Sequence, residues 1–198
     1  MKYQDVPRFE FRIFGRDLTK VRDAFMALGP GIAQPESRET YVVTRLNVES
    51  NVKIRAHRLE VKGLRGRLRL LEQWEPVFNS AFPVAAADIE NVVAPALGLD
   101  VDLGAAPAFT EAALIAFAAG QPALATVVID KERTLFDLGD CEAEFTMLAF
   151  GDERLQTVAA EAPEAKAVEA LLKRVGLDGE QNESYSMFLQ RRLFSVAR

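Results

Sequence analysis

Hydrophobic and polar side chains alternate one for one through RFEFRIFG, where Arg8, Glu10 and Arg12 interleave with Phe9, Phe11 and Ile13 ahead of Gly15. A period of two puts the charged and apolar sets on opposite faces of an extended chain, which predicts a half-buried strand ended by glycine. In DLTKVRDAFMALG the period changes: Leu18, Val21, Phe25 and Leu28 recur every three or four residues, Asp17 stands at the N-cap and Gly29 at the stop. That pattern predicts a helix. After a Pro/Gly loop, RETYVVTRL, NVKIRAHRLEVKGL and LRLLEQWEPVF return to strand patterning, and the short gaps between these three strands predict antiparallel neighbours. Residues 84–120 are alanine-rich and read as two helices. Strand patterning resumes in PALATVVIDKERTLFDL and DCEAEFTML. EAPEAKAVEALLKRVG then predicts an amphipathic helix stopped by Gly176, and ESYSMFLQRRLF a short last one. The expected class is α+β, a single domain over 1–198 with a helical segment at about 84–120 between two β-rich halves.

The charged positions follow the strand period. Lys53 and Arg55 share a face, as do Arg58, Glu60 and Lys62, and the phase slips by one between the two sets, which predicts a turn or bulge near Ala56–His57. Lys131 and Arg133 share a face, as do Glu142 and Glu144. Two sheets satisfy this pattern. An open antiparallel sheet would turn the charged side to water, whereas a sheet closed on itself would enclose it as a polar tunnel. In the closed case an unpaired buried charge costs several kcal/mol, so the lining must be paired ions, water or an anionic ligand with a metal.

Composition narrows the chemistry. A chain of 198 residues, 49% hydrophobic and 27% charged, has the makeup of a globular protein. Its start lacks the apolar core of a signal peptide and no apolar run nears the roughly 18 residues a spanning helix needs, so a cytoplasmic protein without membrane contact is expected. One cysteine, Cys141, and one histidine, His57, leave no disulfide framework and no Cys/His zinc site. A metal would then be held by carboxylates, which selects a hard cation, Mg²⁺ or Mn²⁺. The net charge of −5 conceals a basic stretch from Lys53 to Arg69, with seven Lys/Arg against Glu60 alone. Such a patch reads either as a solvated sheet face or as a local anion site. No aromatic residues interleave it for base stacking, which disfavours nucleic acid, and a homodimer is compatible with the sequence. Arginine forks and lysine ammoniums match phosphoryl oxygens, and glutamates two apart can hold a divalent ion that bridges phosphates.

At these residues the chain resembles the CYTH superfamily, the triphosphate tunnel metalloenzymes, which includes thiamine triphosphatases, inorganic triphosphatases and class IV adenylyl cyclases. RFEFR (8–12) resembles the family's Glu-x-Glu-x-Lys strand, RETYVV (38–43) its Gln-Asp-Thr-Tyr-Phe strand, KIR (53–55) its Arg-Ile-Arg and LEVKG (59–63) its strand with an inward lysine. LEQWE (71–75), DKER (130–133) and CEAEF (141–145) resemble its Arg-x-Glu-x-Glu, Lys-x-Arg and paired-Glu strands, in family order. The resemblance implies a closed antiparallel β-barrel, a tunnel with helices packed outside. It implies a metal-dependent hydrolase of a triphosphate-containing small molecule, nucleotide or inorganic polyphosphate. Glu10, Glu142 and Glu144 would be catalytic; these and Glu72, with Glu75 as a further option, would hold Mg²⁺ or Mn²⁺. Arg8, Arg12, Lys53, Arg55, Arg58, Lys62, Lys131 and Arg133 would bind phosphate. The chain departs from the pattern where Arg8 stands at the first glutamate, Arg12 at the lysine and Leu71 at the arginine, and NESYSMF offers Glu183, Ser184 and Tyr185 where the family has a lysine near its C-terminal helix. A cation where a carboxylate is expected weakens metal binding. The alternative is therefore a catalytically weak CYTH-like domain that binds a polyanion, a phosphorylated ligand or a partner protein.

Overall fold

The computed structural model describes residues 6–104 and 106–195. In chain order the elements are β1 (Arg8–Gly15), α1 (Thr19–Leu28), β2 (Gly31–Ala33), β3 (Ser37–Thr44), β4 (Ser50–Arg55), β5 (Arg58–Leu68) and β6 (Leu71–Ala81). There follow α2 (Ala86–Asp88), a π turn (Ile89–Val93), α3 (Ala94–Ala96), α4 (Glu111–Ala119), β7 (Leu124–Asp137), β8 (Glu142–Phe150), β9 (Glu153–Ala162), α5 (Ala165–Val175) and α6 (Tyr185–Phe194). The strands lie in the order β2-β7-β3-β4-β5-β6-β1-β9-β8, and β8 pairs back onto β7. That last pairing closes eight strands into an antiparallel barrel, with β2 as an extra strand on β7 and the helices outside. The expected α+β barrel is the observed one, and the closed alternative for the charged face holds.

Several expectations are refined. NVKIRAHRLEVKGL is two strands, β4 and β5, joined by a two-residue hairpin in which Ala56 (φ 48°) and His57 (φ 58°) are both left-handed. Positive φ at both turn positions is the geometry that matches the twist of a tight hairpin, and it puts Arg55 directly opposite Arg58. The predicted phase slip is this turn. LRLLEQWEPVF likewise spans the end of β5, a turn at Arg69 (φ 54°) and the start of β6. Asp17 acts one residue early: its carboxylate accepts from the Thr19 N–H, while Leu18 is the N-cap and makes no side-chain cap bond. The 84–120 segment divides into α2, the π turn, α3 and α4, the last capped by the Thr110 hydroxyl accepting from the Ala113 N–H at 3.2 Å. Among the described residues no helix is long and apolar enough to cross a membrane.

The chain divides into two compact units. One comprises the described residues up to Ser37 with Leu64–Glu75 and Asp130–Ser184; the other comprises Arg38–Gly63, Pro76–Ile129 and the chain from Tyr185 on. In the first unit, Phe9, Phe11 and Ile13 of β1 join Phe145, Val158 and Ala160 in a core shared with Phe25 of α1 and Val168, Leu171 and Leu172 of α5. Phe11 and Phe25 are fully buried, each worth about 1.5–3 kcal/mol of apolar burial. In the second unit, Val42, Val52, Ile54, Leu59 and Val61 of β3–β5 pack with Ile89, Val93 and Leu114. In both units the apolar half of the alternation thus faces helices. The charged half is left on the opposite, inner side of the strands.

Candidate functional site

Register fixes which side chains share the inner face of the first unit. Glu10 lies opposite Glu72 on β6 and opposite Glu161 on β9; Arg12 lies opposite Ala159. Glu161, Ala159 and Thr157 in turn lie opposite Glu142, Glu144 and Thr146 on β8, and Thr146 lies opposite Arg133 on β7. Directly paired residues point the same way, so Arg8, Glu10, Arg12, Glu72, Lys131, Arg133, Glu142, Glu144 and Glu161 form one charged surface.

Two arginines of β1 organise it. The Arg12 guanidinium donates from Nε to Glu10 Oε1 at 2.9 Å and from Nη1 to Glu144 Oε1 at 3.2 Å, and it also reaches the Thr157 hydroxyl at 3.4 Å. Two residues earlier, Arg8 donates from Nη2 to Glu142 Oε2 at 2.9 Å, and its Nη1 lies 3.4 Å from Glu161 Oε1. Both arginines are buried, 9% and 8% exposed for Arg8 and Arg12, so these pairs feel a low dielectric. Glu144 also accepts from the Thr146 hydroxyl at 2.8 Å. Burial alone would push its carboxyl up. The charges of Arg12, Lys131 and Arg133 and the Thr146 hydrogen bond outweigh that and hold it down at about 2. Lys131 is itself buried, and Arg133 Nη2 donates to the Ser37 hydroxyl at 3.3 Å.

Glu72 behaves oppositely. Burial raises its pKa above the ordinary carboxylate value; Arg67, whose Nε donates to Oε1 at 3.3 Å, and the Ser184 hydroxyl oppose the rise, and Glu10 adds to it. Glu75 sits apart on β6 and meets Arg65 at 3.4 Å.

The second unit carries its own charged face on β3–β5. Glu39, fully buried, accepts from the Tyr41 hydroxyl at 2.9 Å and from Lys53 Nζ at 3.2 Å, and Arg55 Nη1 lies 4.0 Å away. Glu60 accepts from Arg55 Nη2 at 2.8 Å and lies 3.6 Å from Lys53. Burial lowers the Arg55 pKa, but Glu60 and Glu39 more than restore it, so the net shift is upward. Arg58 and Lys62, expected as phosphate contacts, are exposed; Arg58 donates to Asn79 Oδ1 at 2.8 Å and Lys62 lies opposite Asn51.

Glu39, Tyr41, Thr146, Thr157 and Glu161 are members of these surfaces beyond the sequence-predicted ones, and Glu60 sits on the face it was expected to share with Arg58 and Lys62. The period-two pair Glu39 and Tyr41 was visible in RETYVV. Glu161 was hidden because β9 was not recognised as a strand. His57 and Cys141 take no part: His57 lies at the exposed hairpin with Nδ1 3.1 Å from Glu111, and burial first, then Glu161, pushes the Cys141 thiol up to about 12. A groove of about 720 Å³ in the first unit, bordered by Leu18, Val21 and Leu177, contains none of the expected site residues.

Among the described residues no three His, Cys, Asp or Glu side chains come together as a metal-holding group. Mg²⁺ would require oxygens converging at about 2.0–2.1 Å on one point. Here the oxygens of Glu10 and Glu144 converge on the Arg12 guanidinium, and those of Glu142 and Glu161 on Arg8. The donor set as arranged fits a guanidinium rather than a divalent ion.

No family model and no curated protein matches the chain. Solved structures do share its fold. The PH1012 protein of Pyrococcus horikoshii is 14% identical, covering 91% of this chain and 98% of that one, with a TM-score of 0.54. A putative adenylate cyclase of Bacillus halodurans is 11% identical over 96% of this chain and 98% of its own, TM-score 0.52. The capping enzyme triphosphatase of Mimivirus is 8% identical over 89% and 90%, TM-score 0.52. At these identities the likeness is one of fold, and that fold is the one to which the strand motifs pointed.

Proposed function

We propose that this chain, a divergent protein with the triphosphate-tunnel barrel fold, binds a small anion bearing a phosphate chain on the charged inner face of its strands. The observation that carries the reading is the gathering of Arg8, Arg12, Lys131 and Arg133 on one face of the first unit, where glutamates pair the two β1 arginines and Lys131 and Arg133 stand on β7, paired with β8. Arginine forks and a lysine ammonium spaced along neighbouring strands match the successive phosphoryl groups of a polyphosphate. In the second unit Lys53, Arg55, Arg58 and Lys62 outnumber Glu39 and Glu60, and supply the same chemistry on β4 and β5. A nucleoside triphosphate and inorganic tripolyphosphate both carry the required group.

Metal-dependent hydrolysis is the second reading, and the fold shared with a viral triphosphatase favours it. In it Glu10, Glu142 and Glu144 are the reactive carboxylates and Glu72 a further ligand candidate.

A thermal-shift titration of the purified chain with tripolyphosphate, in parallel with a phosphate-release assay in Mg²⁺ and in Mn²⁺, decides between them. Binding at a hundredfold excess over Kd is expected to stabilise the protein by about 2.7 kcal/mol. The absence of any shift with tripolyphosphate and with nucleoside triphosphates refutes the first reading. Metal-dependent phosphate release selects the second.

A further inference from the structure

We infer that Arg12 serves as a built-in cation, occupying the place between Glu10 and Glu144 that a divalent ion would otherwise take, so that the inner face of the first unit is assembled without metal. The inference goes beyond the anion-binding reading and does not need it, because it concerns the chain with no phosphate present.

Glu10, on β1, and Glu144, on β8, belong to strands separated by β9. On β9, Ala159 lies in register with both Arg12 and Glu144 and is small, so it leaves room for the Arg12 side chain to reach across to β8, while Glu10 is in register with Glu161. Two carboxylates brought together in a low dielectric cannot both stay ionised unless a cation lies between them. Arg12 supplies it: its Nε and Nη1 point at different carboxylates, 2.9 Å and 3.2 Å away, and the Thr157 hydroxyl, which donates onward to the Ile13 carbonyl at 2.7 Å, supports the same guanidinium. The guanidinium is moreover anchored through its own backbone. The Arg12 N–H donates to Asn182 Oδ1 at 2.7 Å, and its carbonyl accepts from the Glu183 N–H at 2.8 Å. The side chain therefore starts from a fixed point from which it reaches both carboxylates.

A covalently attached cation and a dissociable one make different demands. An arginine brings one positive charge against two negative ones, whereas a divalent ion would neutralise the pair. The net negative remainder is offset by Lys131 and Arg133, which also act on Glu144. Removing the guanidinium while keeping both carboxylates should uncover a cation site made of Glu10, Glu144 and the Thr146 and Thr157 hydroxyls.

The test uses Mn²⁺ alone, with no phosphate compound, followed by calorimetry and by the electron paramagnetic resonance signal of free Mn²⁺. The native chain is expected to leave the free signal and its own melting temperature unchanged. Arg12→Ala should lose thermal stability, recover part of it with Mn²⁺ but not with NaCl of equal ionic strength, and lose that recovery when Glu144→Gln is added. Should Arg12→Ala fold only when Mn²⁺ is supplied, the inference is likewise supported. Stoichiometric Mn²⁺ binding by the native chain that Glu144→Gln abolishes would overturn it, as would an Arg12→Ala chain indifferent to Mn²⁺. Neither outcome depends on whether the protein binds tripolyphosphate.

Discussion

On β3–β5 the buried charges find their partners within two hairpins. Lys53 meets Glu39 across 14 residues of chain and Arg55 meets Glu60 across 5. On β1 the pairs also reach far along the chain: besides Glu10, two residues away, Arg12 reaches Glu144 across 132 residues, and Arg8 reaches Glu142 across 134. The local set pairs a fully buried glutamate with a lysine and a tyrosine hydroxyl, so Glu39 has partners of different kinds. In the remote set a single guanidinium joins two carboxylates that no short loop connects. The difference is one of consequence. A local lattice forms once its hairpins form, whereas the remote one exists only when the N-terminal strand has joined the last two, and it then fastens three strands together.

The sharpest probe of that contrast is acid. Glu144 titrates at about 2 in the folded chain against 4.5 for an unperturbed glutamate, so it stays ionised in the fold at pH values where the unfolded chain takes up a proton. Its stabilisation is complete above pH 4.5 and is lost as the pH falls from there towards 2. At 1.36 kcal/mol per unit that difference amounts to about 3 kcal/mol. Urea unfolding across this range should show the loss, and Glu144→Gln should flatten it. Hydrogen exchange should report β1, β8 and β9 opening ahead of β3–β5, and the reverse order would break the comparison.

A smaller effect is expected from the local set. Lys53→Met removes one partner of Glu39 but leaves the Tyr41 hydroxyl and Arg55 nearby, so a loss of about 2 kcal/mol is expected. If chemical denaturation gives a loss as large as that of Arg12→Ala, the two sets are energetically alike and the contrast between local and remote pairing has no weight. Smallest of all, Ala56 holds φ at 48°, a left-handed conformation that costs a residue with a Cβ roughly 1–2 kcal/mol. Ala56→Gly should therefore raise the unfolding free energy by about 1 kcal/mol, partly offset by the greater freedom of glycine when unfolded, and leave the acid transition where it was.

What could be read from the sequence divides along the same line. The alternation in RFEFRIFG assigned Phe9, Phe11 and Ile13 to the core and the charged residues to the other face, because one face of β1 is apolar and the other is not. The hairpin at Ala56–His57 was legible because a shift in charge phase within a few residues has few causes. β9 was not, since Leu155, Thr157, Val158, Ala159, Ala160 and Ala162 are all buried and small or apolar side chains on both faces erase the period. With β9 unseen, Glu161 and its pairing with Arg8 had no place to appear. The candidate site shows the same limit. Residue types and spacing identified nearly every charged member, but which charge neutralises which is decided by register between strands more than a hundred residues apart. Spacing marks Glu10 and Glu144 as ligand candidates; what spacing does not carry is the Arg12 guanidinium that both carboxylates meet in the fold.

The loop after α5 has one more effect, on association between molecules. β6 begins at Leu71 and pairs with β1 through Arg8, Phe9 and Glu10, and among the described residues no strand continues along that side of β1 past Glu10. An unpaired strand edge is a template for joining another chain. Asn182 and Glu183 fill it, with one side-chain carbonyl and one backbone N–H taking the two main-chain groups of Arg12. Two residues of loop thus do the work of a blocking strand. Their loss would be felt as association through the uncovered edge of β1.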